Sequence, residues 1–297
     1  MTDCAVLLER LLEAYVQDRL PRPATRQTLT RIVRVFTADT GLTDILSVTT
    51  QGLFDWRDRV LQRASTETWN TYHRHLRLLG NFGVKRGLIQ INPFAEVRSI
   101  RTGRRRKKII TKDLLRAALA EDQLSPTWFW TTVIRAIYFT GIRRAQVIGL
   151  TWGDIHLRSK QINLAASSNK TDCDHEIPLP PQIEQDLIDL YAASVRASGR
   201  VGKADQVFNV TLFNSRYAGD RMTAEQLSGF FRRLSDRLGA PISAHRLRHT
   251  LATDMIEVTD VRTVQQQLGH RDVTTTLTFY VHPDMDRMRR AIEALSI

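Results

Sequence analysis

The sequence predicts a mainly helical protein of the α+β class, with a small antiparallel β-sheet in its C-terminal part. Three observations support this prediction. Apolar residues recur at the three- and four-residue spacing of amphipathic helices through most of the chain. Polar and apolar residues alternate, as in half-buried strands, between residues 153 and 180. A basic stretch at 98–108 separates an all-helical block from this mixed part.

The N-terminal block, residues 1–97, is predicted to be a bundle of four helices that ends at Asn92-Pro93. Its aromatic residues recur on single helix faces, which assigns them to the core of the bundle rather than to base stacking. The four segments are residues 2–20, a run around Ile32 and Phe36, residues 50–61, and a stripe from Trp69 to Phe82 that should stop near Gly87.

The stretch 98–108 (RSIRTGRRRKK) carries seven basic residues in eleven and is predicted to be an interdomain linker. Like charges in a row cannot build a core, so this segment is either a solvated strap or one that lies on a phosphate backbone. We favour the second interpretation, because Lys and Arg outnumber Asp and Glu by 43 to 31 across the chain and attract polyanions. The candidate DNA-binding residues are Arg101, Arg104, Arg105, Arg106, Lys107 and Lys108.

The C-terminal domain, residues 109–297, is predicted to be mostly helical around the small sheet at 153–180. Thr111 is a plausible cap for its first helix. After the last predicted helix, Met288, Ile292 and Leu295 stand at helical spacing in a short tail. The predicted helices are 111–121, 127–139, 181–195, 223–238, 245–258 and 260–268.

Several classes of protein are disfavoured. The sequence has neither an apolar run long enough to span a membrane nor a signal peptide, and its two cysteines, Cys4 and Cys173, form no metal-ligand pattern. We therefore expect free thiols in a cytoplasmic protein without a bound metal. Glycine-rich loops for nucleotide phosphates and a carboxylate cluster for magnesium are lacking too, so no cofactor is predicted.

The residues needed to cut a phosphodiester bond without a metal are present: a nucleophile, cationic donors for the nonbridging oxygens, and an acid for the leaving oxygen. His245 and Arg248, at i and i+3 of a predicted helix, lie on one face and can converge on one anion. His245 and His249 also have the spacing of a zinc pair. Arg246, however, occupies the place of a metalloprotease's glutamate base, which argues against zinc.

Four separated segments resemble the tyrosine recombinases, also called the phage integrase family. They follow in the family's order within a domain-sized span, and with the helical block upstream the resemblance covers essentially the whole chain. The segments are Thr140–Arg143 with Val147–Trp152, Lys170 eight residues before Pro178, Ser243–Thr253 (SAHRLRHTLAT), and Leu268-Gly269-His270 followed by Tyr280.

This resemblance implies a helical core-binding domain followed by the family's catalytic domain. Arg143 and Arg248 would hold the nonbridging oxygens, helped by His270. His245 would give general acid/base help to Tyr280, the nucleophile that forms a 3′-phosphotyrosyl bond, and Lys170 would protonate the leaving 5′ oxygen.

Two features depart from the family pattern. Gln146 stands where the family usually has an acid that orients the first arginine, and an amide can hydrogen-bond but cannot neutralise that arginine. The run from His270 to Tyr280 is also one residue longer than expected for Xer-like members, which could alter the timing of the tyrosine's entry into the site.

By resemblance, the protein is a site-specific recombinase that acts on double-stranded DNA as a homotetramer and passes through a Holliday junction. Its tail either packs on its own domain or docks onto a neighbouring protomer. Because the helical bundle begins almost at Met1, no arm-binding domain is expected, which favours an Xer-like, integron-like or mobile-element recombinase. The alternatives are a type IB topoisomerase and a DNA-binding regulator with this fold but no catalysis.

Overall fold

The structure is a computed structural model, and it describes residues 6–103, 109–165 and 175–269, together with residues 289 and 293. These residues are mostly helical and include one small antiparallel sheet, which confirms the predicted fold class. The chain divides into two compact units, residues 1–105 and 106–297.

The described residues of the first unit form four α-helices, as predicted. Thr49 and Ser65, both favourable capping residues, accept hydrogen bonds from the backbone N–H groups of Gly52 and Thr68 at the starts of the third and fourth helices. The fourth helix ends two residues before Gly87, close to the predicted end. The helices are α1 (Leu8–Arg19), α2 (Pro23–Thr40), α3 (Thr50–Arg63) and α4 (Thr66–Lys85).

The core of the first unit is built on aromatic side chains. Phe36, Trp56, Trp69 and Phe94 are fully buried. The ring of Phe36 meets those of Trp56 and Phe94 edge-on, with centroids 4.9 and 5.6 Å apart, and Trp56 meets Trp69 at 5.1 Å. Edge-to-face pairs of this kind add to the stabilisation that comes from burial alone. The assignment of these aromatics to the core is therefore confirmed.

The second unit contains seven described α-helices. The hydroxyl of Thr111 caps the first of them by accepting a hydrogen bond from the N–H of Leu114, as predicted. A six-residue helix directly after Arg143 was not predicted, because so short a segment has too few turns to display a periodic pattern. The helices are α5 (Lys112–Ala120), α6 (Thr127–Thr140), α7 (Arg144–Gly149), α8 (Pro181–Ser198), α9 (Ala224–Arg237), α10 (Ala244–Val258) and α11 (Val261–Leu268).

In the described residues the sheet has three antiparallel strands, in the order β1 (Ile155–His156), β2 (Gln161–Leu164) and β3 (His175–Pro178). Ile162 pairs with Ile177, and Leu164 pairs with His175. Buried and more exposed residues alternate along β2, as the alternation in the sequence predicted.

Helix α6 forms the centre of the second unit and packs on α10. It is apolar on nearly all sides, and the ring of Trp130 stacks on that of Phe230 with centroids 3.9 Å apart. Because α6 ends at Thr140, this packing fixes the place from which the first arginine segment departs. Within the described ranges, no helix has the length and apolarity needed to cross a membrane.

Candidate active site

Arg143 leaves the core at a sharp turn between α6 and α7. Gly141 ends α6 in the left-handed conformation, with φ at 68°, and a Cβ atom at this position would lie within 3.0 Å of the side chains of Leu251 and Leu268. Glycine is thus required both by the backbone conformation and by the close approach. Arg143 then caps α7, and its backbone N–H donates to Oε1 of Gln146 over 2.7 Å.

Gln146 is buried, with 1% of its surface exposed. Its amide oxygen accepts the bond through which a carboxylate could also hold the Arg143 backbone. The geometric part of the orienting role is therefore available to an amide, whereas the charge is not. Burial lowers the pKa of the Arg143 guanidinium, which nevertheless stays protonated at neutral pH because its intrinsic pKa is so high.

Arg248 projects from α10 and is almost completely buried, with 5% exposed. Its Nη1 donates to the carbonyl of Gly141, and its Nη2 donates to the carbonyl of Leu268 over 2.6 Å. The guanidinium thereby ties the end of α6 to the end of α11. A buried cation held by backbone carbonyls is a strongly positive and rigid feature.

The two arginines meet at the turn that ends α11. Nη2 of Arg143 donates to the carbonyl of Gly269 over 3.2 Å, next to the Leu268 carbonyl that Arg248 binds. The side chain of Gln267 also donates to the carbonyl of Thr140 over 2.9 Å. Segments separated by more than 100 residues in sequence thus converge directly before His270.

His245 and His249 contact each other on α10. Their Nε2 atoms are 2.7 Å apart, and their ring planes are inclined by 76°. Because a hydrogen bond needs one donor and one acceptor, one ring must present Nε2–H and the other a bare Nε2. His245 is exposed and His249 is buried, so the inner ring can set the tautomer of the outer one.

His175, on β3, is a site residue that the sequence analysis missed. Its Nε2 lies 3.3 Å from the carbonyl of Gln267. Burial and the positive charges of Arg143 and Arg248 lower the pKa of this imidazole, although its hydrogen bond to Gln267 opposes the shift. A lone histidine at the start of a strand has no spacing signal, so only the fold reveals its position.

Other predicted site residues fall where the structure gives no description. Lys170, His270 and Tyr280 lie outside the described residues, as do Arg104–Lys108 of the linker, both cysteines and the tail except for positions 289 and 293. Arg101 is described and is exposed. Across the described parts of the chain, no group of three or more His, Cys, Asp or Glu side chains could hold a metal ion.

The first unit presents a basic surface that the sequence analysis did not single out. Arg26, Arg31 and Arg34 are exposed on α2 and line one open groove with Gln27 and Thr30. Their spacing places them along one side of the helix. Clustered exposed arginines are a typical electrostatic feature of surfaces that bind nucleic acids.

Sequence comparison finds a family match that lies within the second unit. The pattern of the Phage integrase family matches residues 108–287. A Pseudomonas syringae protein assigned as a tyrosine recombinase XerC is 28% identical over 302 residues, which cover 96% of this chain. This chain spans 63% of the length of that relative.

Two solved structures share the fold. The Tn1549 transposon integrase in complex with transposon right end DNA superposes with a TM-score of 0.78 at 20% identity, over 98% of this chain and all of that one. A lambda integrase tetramer bound to a Holliday junction gives a TM-score of 0.73 at 18% identity, over 94% of this chain and 78% of that one. Because the family pattern matches residues 108–287, more than half of the sequence, the chain belongs to the phage integrase family of tyrosine recombinases.

Proposed function

We propose that this protein is a site-specific DNA recombinase that cuts and rejoins double-stranded DNA through a 3′-phosphotyrosyl intermediate. One observation carries the proposal: Arg143 and Arg248, from separate helices, bind the adjacent carbonyls of Leu268 and Gly269. This arrangement concentrates two permanent positive charges at one point, where a phosphate with two nonbridging oxygens would be bound. The relative named XerC and the two integrases of the same fold support this class of substrate.

In the proposed reaction, the guanidiniums of Arg143 and Arg248, with His270, stabilise the charge that develops on the phosphate. The phenolic oxygen of Tyr280 attacks phosphorus and passes its proton toward His245. The bond from phosphorus to the 5′ oxygen breaks, and Lys170 gives that oxygen a proton. The phosphotyrosyl linkage retains the energy of the broken bond, so the reverse attack by a 5′ hydroxyl rejoins DNA without ATP.

The larger assembly follows from the same proposal. Exchange between two DNA sites requires four active sites, so we infer a homotetramer that resolves a Holliday junction, with the C-terminal tail docking onto a neighbouring protomer. The residues at 1–97 would form the core-binding domain, 98–108 the linker and 109–297 the catalytic domain. We propose that this activity takes place in the cytoplasm.

The chemistry can be tested by trapping the covalent intermediate on a nicked substrate. After cleavage of such a substrate, the short fragment that bears the new 5′ hydroxyl dissociates and cannot be rejoined. We expect the native protein to form a denaturation-resistant protein–DNA adduct and Tyr280→Phe to form none while still binding DNA, because phenylalanine lacks the attacking oxygen. Tyr191→Phe is a matched control that should react normally, since Tyr191 is a partly exposed residue of α8. An adduct with Tyr280→Phe would refute the assignment of the nucleophile.

The DNA-binding surfaces can be tested by their salt dependence. The α2 arginines and the linker arginines are proposed to contact phosphates, and each lost contact should flatten the plot of log affinity against log salt by about 0.9. Two triple variants separate the surfaces: Arg26, Arg31 and Arg34 changed to Gln, and Arg104, Arg105 and Arg106 changed to Gln. A variant that keeps the native slope would remove its segment from the DNA-binding surface.

A further inference from the structure

The end of α11 has three consecutive backbone carbonyls that face side chains from three other parts of the second unit. The last carbonyls of a helix lack partners within the helix, so they need donors from outside. Arg248 of α10 donates to Leu268, and Arg143, the cap of α7, donates to Gly269. The third carbonyl, that of Gln267, faces Nε2 of His175 on β3 at 3.3 Å.

His175 also packs against the backbone of Gly269. A Cβ atom built on Gly269 would lie 3.0 Å from Cδ2 and 3.2 Å from Nε2 of the imidazole, closer than ordinary contact distances. Gly269 has φ at 57°, so its conformation favours glycine as well. The imidazole therefore occupies the space that a side chain on the residue preceding His270 would need.

We propose that His175 is a positioning residue of the recombinase, whose Nε2–H holds the Gln267 carbonyl and whose ring fixes the Gly269 turn that leads into His270. This inference rests on the proposed function. A carbonyl only accepts hydrogen bonds, so the imidazole must carry its proton on Nε2. The depressed pKa of His175 keeps the ring neutral near pH 7, which leaves that single tautomer in place beside two guanidiniums.

The position of His175 in the chain gives this contact a second consequence. The strand β3 begins at His175, five residues after Lys170. The imidazole thus links the strand that follows Lys170 to the turn that precedes His270. The strand itself does not depend on the side chain, because the pairing of His175 with Leu164 is made through the backbone.

The first test compares His175→Gln with His175→Leu in covalent trapping at saturating DNA. Glutamine retains a donor near the position of Nε2, whereas leucine fills similar space without one. A displacement of about 1 Å at a catalytic group can cost on the order of 10²-fold in rate. We expect the trapping rate of His175→Leu to fall by up to about 10²-fold. His175→Gln should retain most of the native trapping rate, and DNA affinity and Tm should be close to native in both variants. Equal rates for the two variants, whether fast or slow, would overturn the proposal.

A double-mutant cycle covers the case in which His175→Leu folds poorly. Gly269→Ala is made in the native background and in a His175→Ala background. The cost of a positive φ is the same in both and cancels, whereas the clash with the imidazole exists only in the first. We expect the loss of trapping rate from Gly269→Ala to be several-fold smaller when His175 is absent, and equal losses would refute the contact.

Native protein is assayed in parallel to separate the two proposals. A native protein that forms no adduct refutes the proposed function and this inference with it. An active native protein whose rate does not change on substitution of His175 refutes the inference alone.

Discussion

The two units of this protein use buried polar groups for different purposes. In the first unit, His73 and Asn92 both bind the backbone of Phe94: Nε2 of His73 lies 2.8 Å from its carbonyl, and Oδ1 of Asn92 accepts its N–H over 3.0 Å. These bonds fasten the segment after α4 to an aromatic core. In the second unit, the buried Gln146 and Arg248 instead hold the turns from which the candidate catalytic groups project.

This difference indicates where each unit is sensitive. Buried hydrogen bonds between neutral groups contribute little net free energy but are costly to break, so the first unit should respond to damage mainly through stability. A buried guanidinium that donates to carbonyls also supplies a fixed positive charge that can stabilise negative charge on a phosphate. Substitutions in the second unit should therefore reduce activity more than they reduce the free energy of unfolding. Substitutions in the two units should therefore separate activity from stability.

Apart from removal of the proposed nucleophile, the largest expected effect on activity comes from Arg248→Lys. Lysine keeps the positive charge but has no planar fork, so it cannot bind the carbonyls of Gly141 and Leu268 and also meet a phosphate with defined geometry. Loss of one preorganised donor typically costs about 10²–10³-fold in rate, and we expect a fall of that order in the rate of covalent trapping. Single-turnover trapping with saturating DNA measures it, with Arg246→Lys on the same helix as control. A native rate in Arg248→Lys would contradict the proposed role of the buried guanidinium.

The next effect is on stability, from Trp56→Ala in the first unit. Trp56 is fully buried between Phe36 and Trp69, and its Nε1 donates to Asp39 over 2.9 Å. Truncation of a core tryptophan costs about 3–5 kcal/mol, so the free energy of unfolding in urea should fall by about that amount.

Trp128→Ala is the matched control for this variant, because Trp128 is 44% exposed and its truncation should cost much less. Trp56 belongs to the first compact unit and the candidate catalytic residues to the second. Because substitutions at independent sites have additive effects, the trapping rate of the protein that remains folded should stay within about twofold of native. A fall in that rate comparable to the fall in Arg248→Lys would show that the first unit does not respond to damage mainly through stability.

The sequence predicted the helices of the first unit well because each helix buries one continuous apolar stripe. The stripe from Trp69 to Phe82 fixed α4 to within a few residues, and the preceding Ser65 caps it. Local pattern and tertiary burial agree in such a bundle, so periodicity alone is informative. The helix α7 escaped prediction because the turn at Gly141 and the cap at Arg143, rather than periodicity, define it.

The candidate site was less predictable from the sequence. Motif spacing identified Arg143, His245 and Arg248, because each lies in a compact local pattern. It could not identify His175 or the bond between Gln267 and Thr140, since contacts over 92 and 127 residues leave no local signature in one sequence. The catalytic roles of Arg143, His245 and Arg248, and those of Lys170, His270 and Tyr280, stay predictions that the trapping experiments address.

The smallest expected effect is on the pH dependence of the free energy of unfolding, to which both His73 and His175 should contribute. Burial lowers the pKa of His73, and the nearby charge of Arg77 lowers it further, against the opposing effect of its bond to Phe94. The unfolded chain, with a histidine pKa of about 6.5, then binds a proton more readily than the folded chain. The contribution of His73 to stability is therefore fully present above about pH 6.5, the pKa of the unfolded histidine. It is lost as the pH falls from there toward the lower pKa of His73 in the folded protein. The pKa of His175 is also lowered in the folded protein, so its contribution to stability is likewise lost as the pH falls.

DNA should separate the two histidines. A phosphate bound by Arg143 and Arg248 would offset the positive charges that depress the pKa of His175. The pKa of His73 is instead set by its burial, its bond to Phe94 and the charge of Arg77. Urea unfolding of the free protein between about pH 5 and 7 should therefore show a shallower pH dependence in both His73→Gln and His175→Gln, since neither glutamine titrates. With a saturating DNA duplex, His73→Gln should still flatten the profile and His175→Gln should change it less. An unaltered contribution from His175 on DNA binding would show that no phosphate enters between the two arginines.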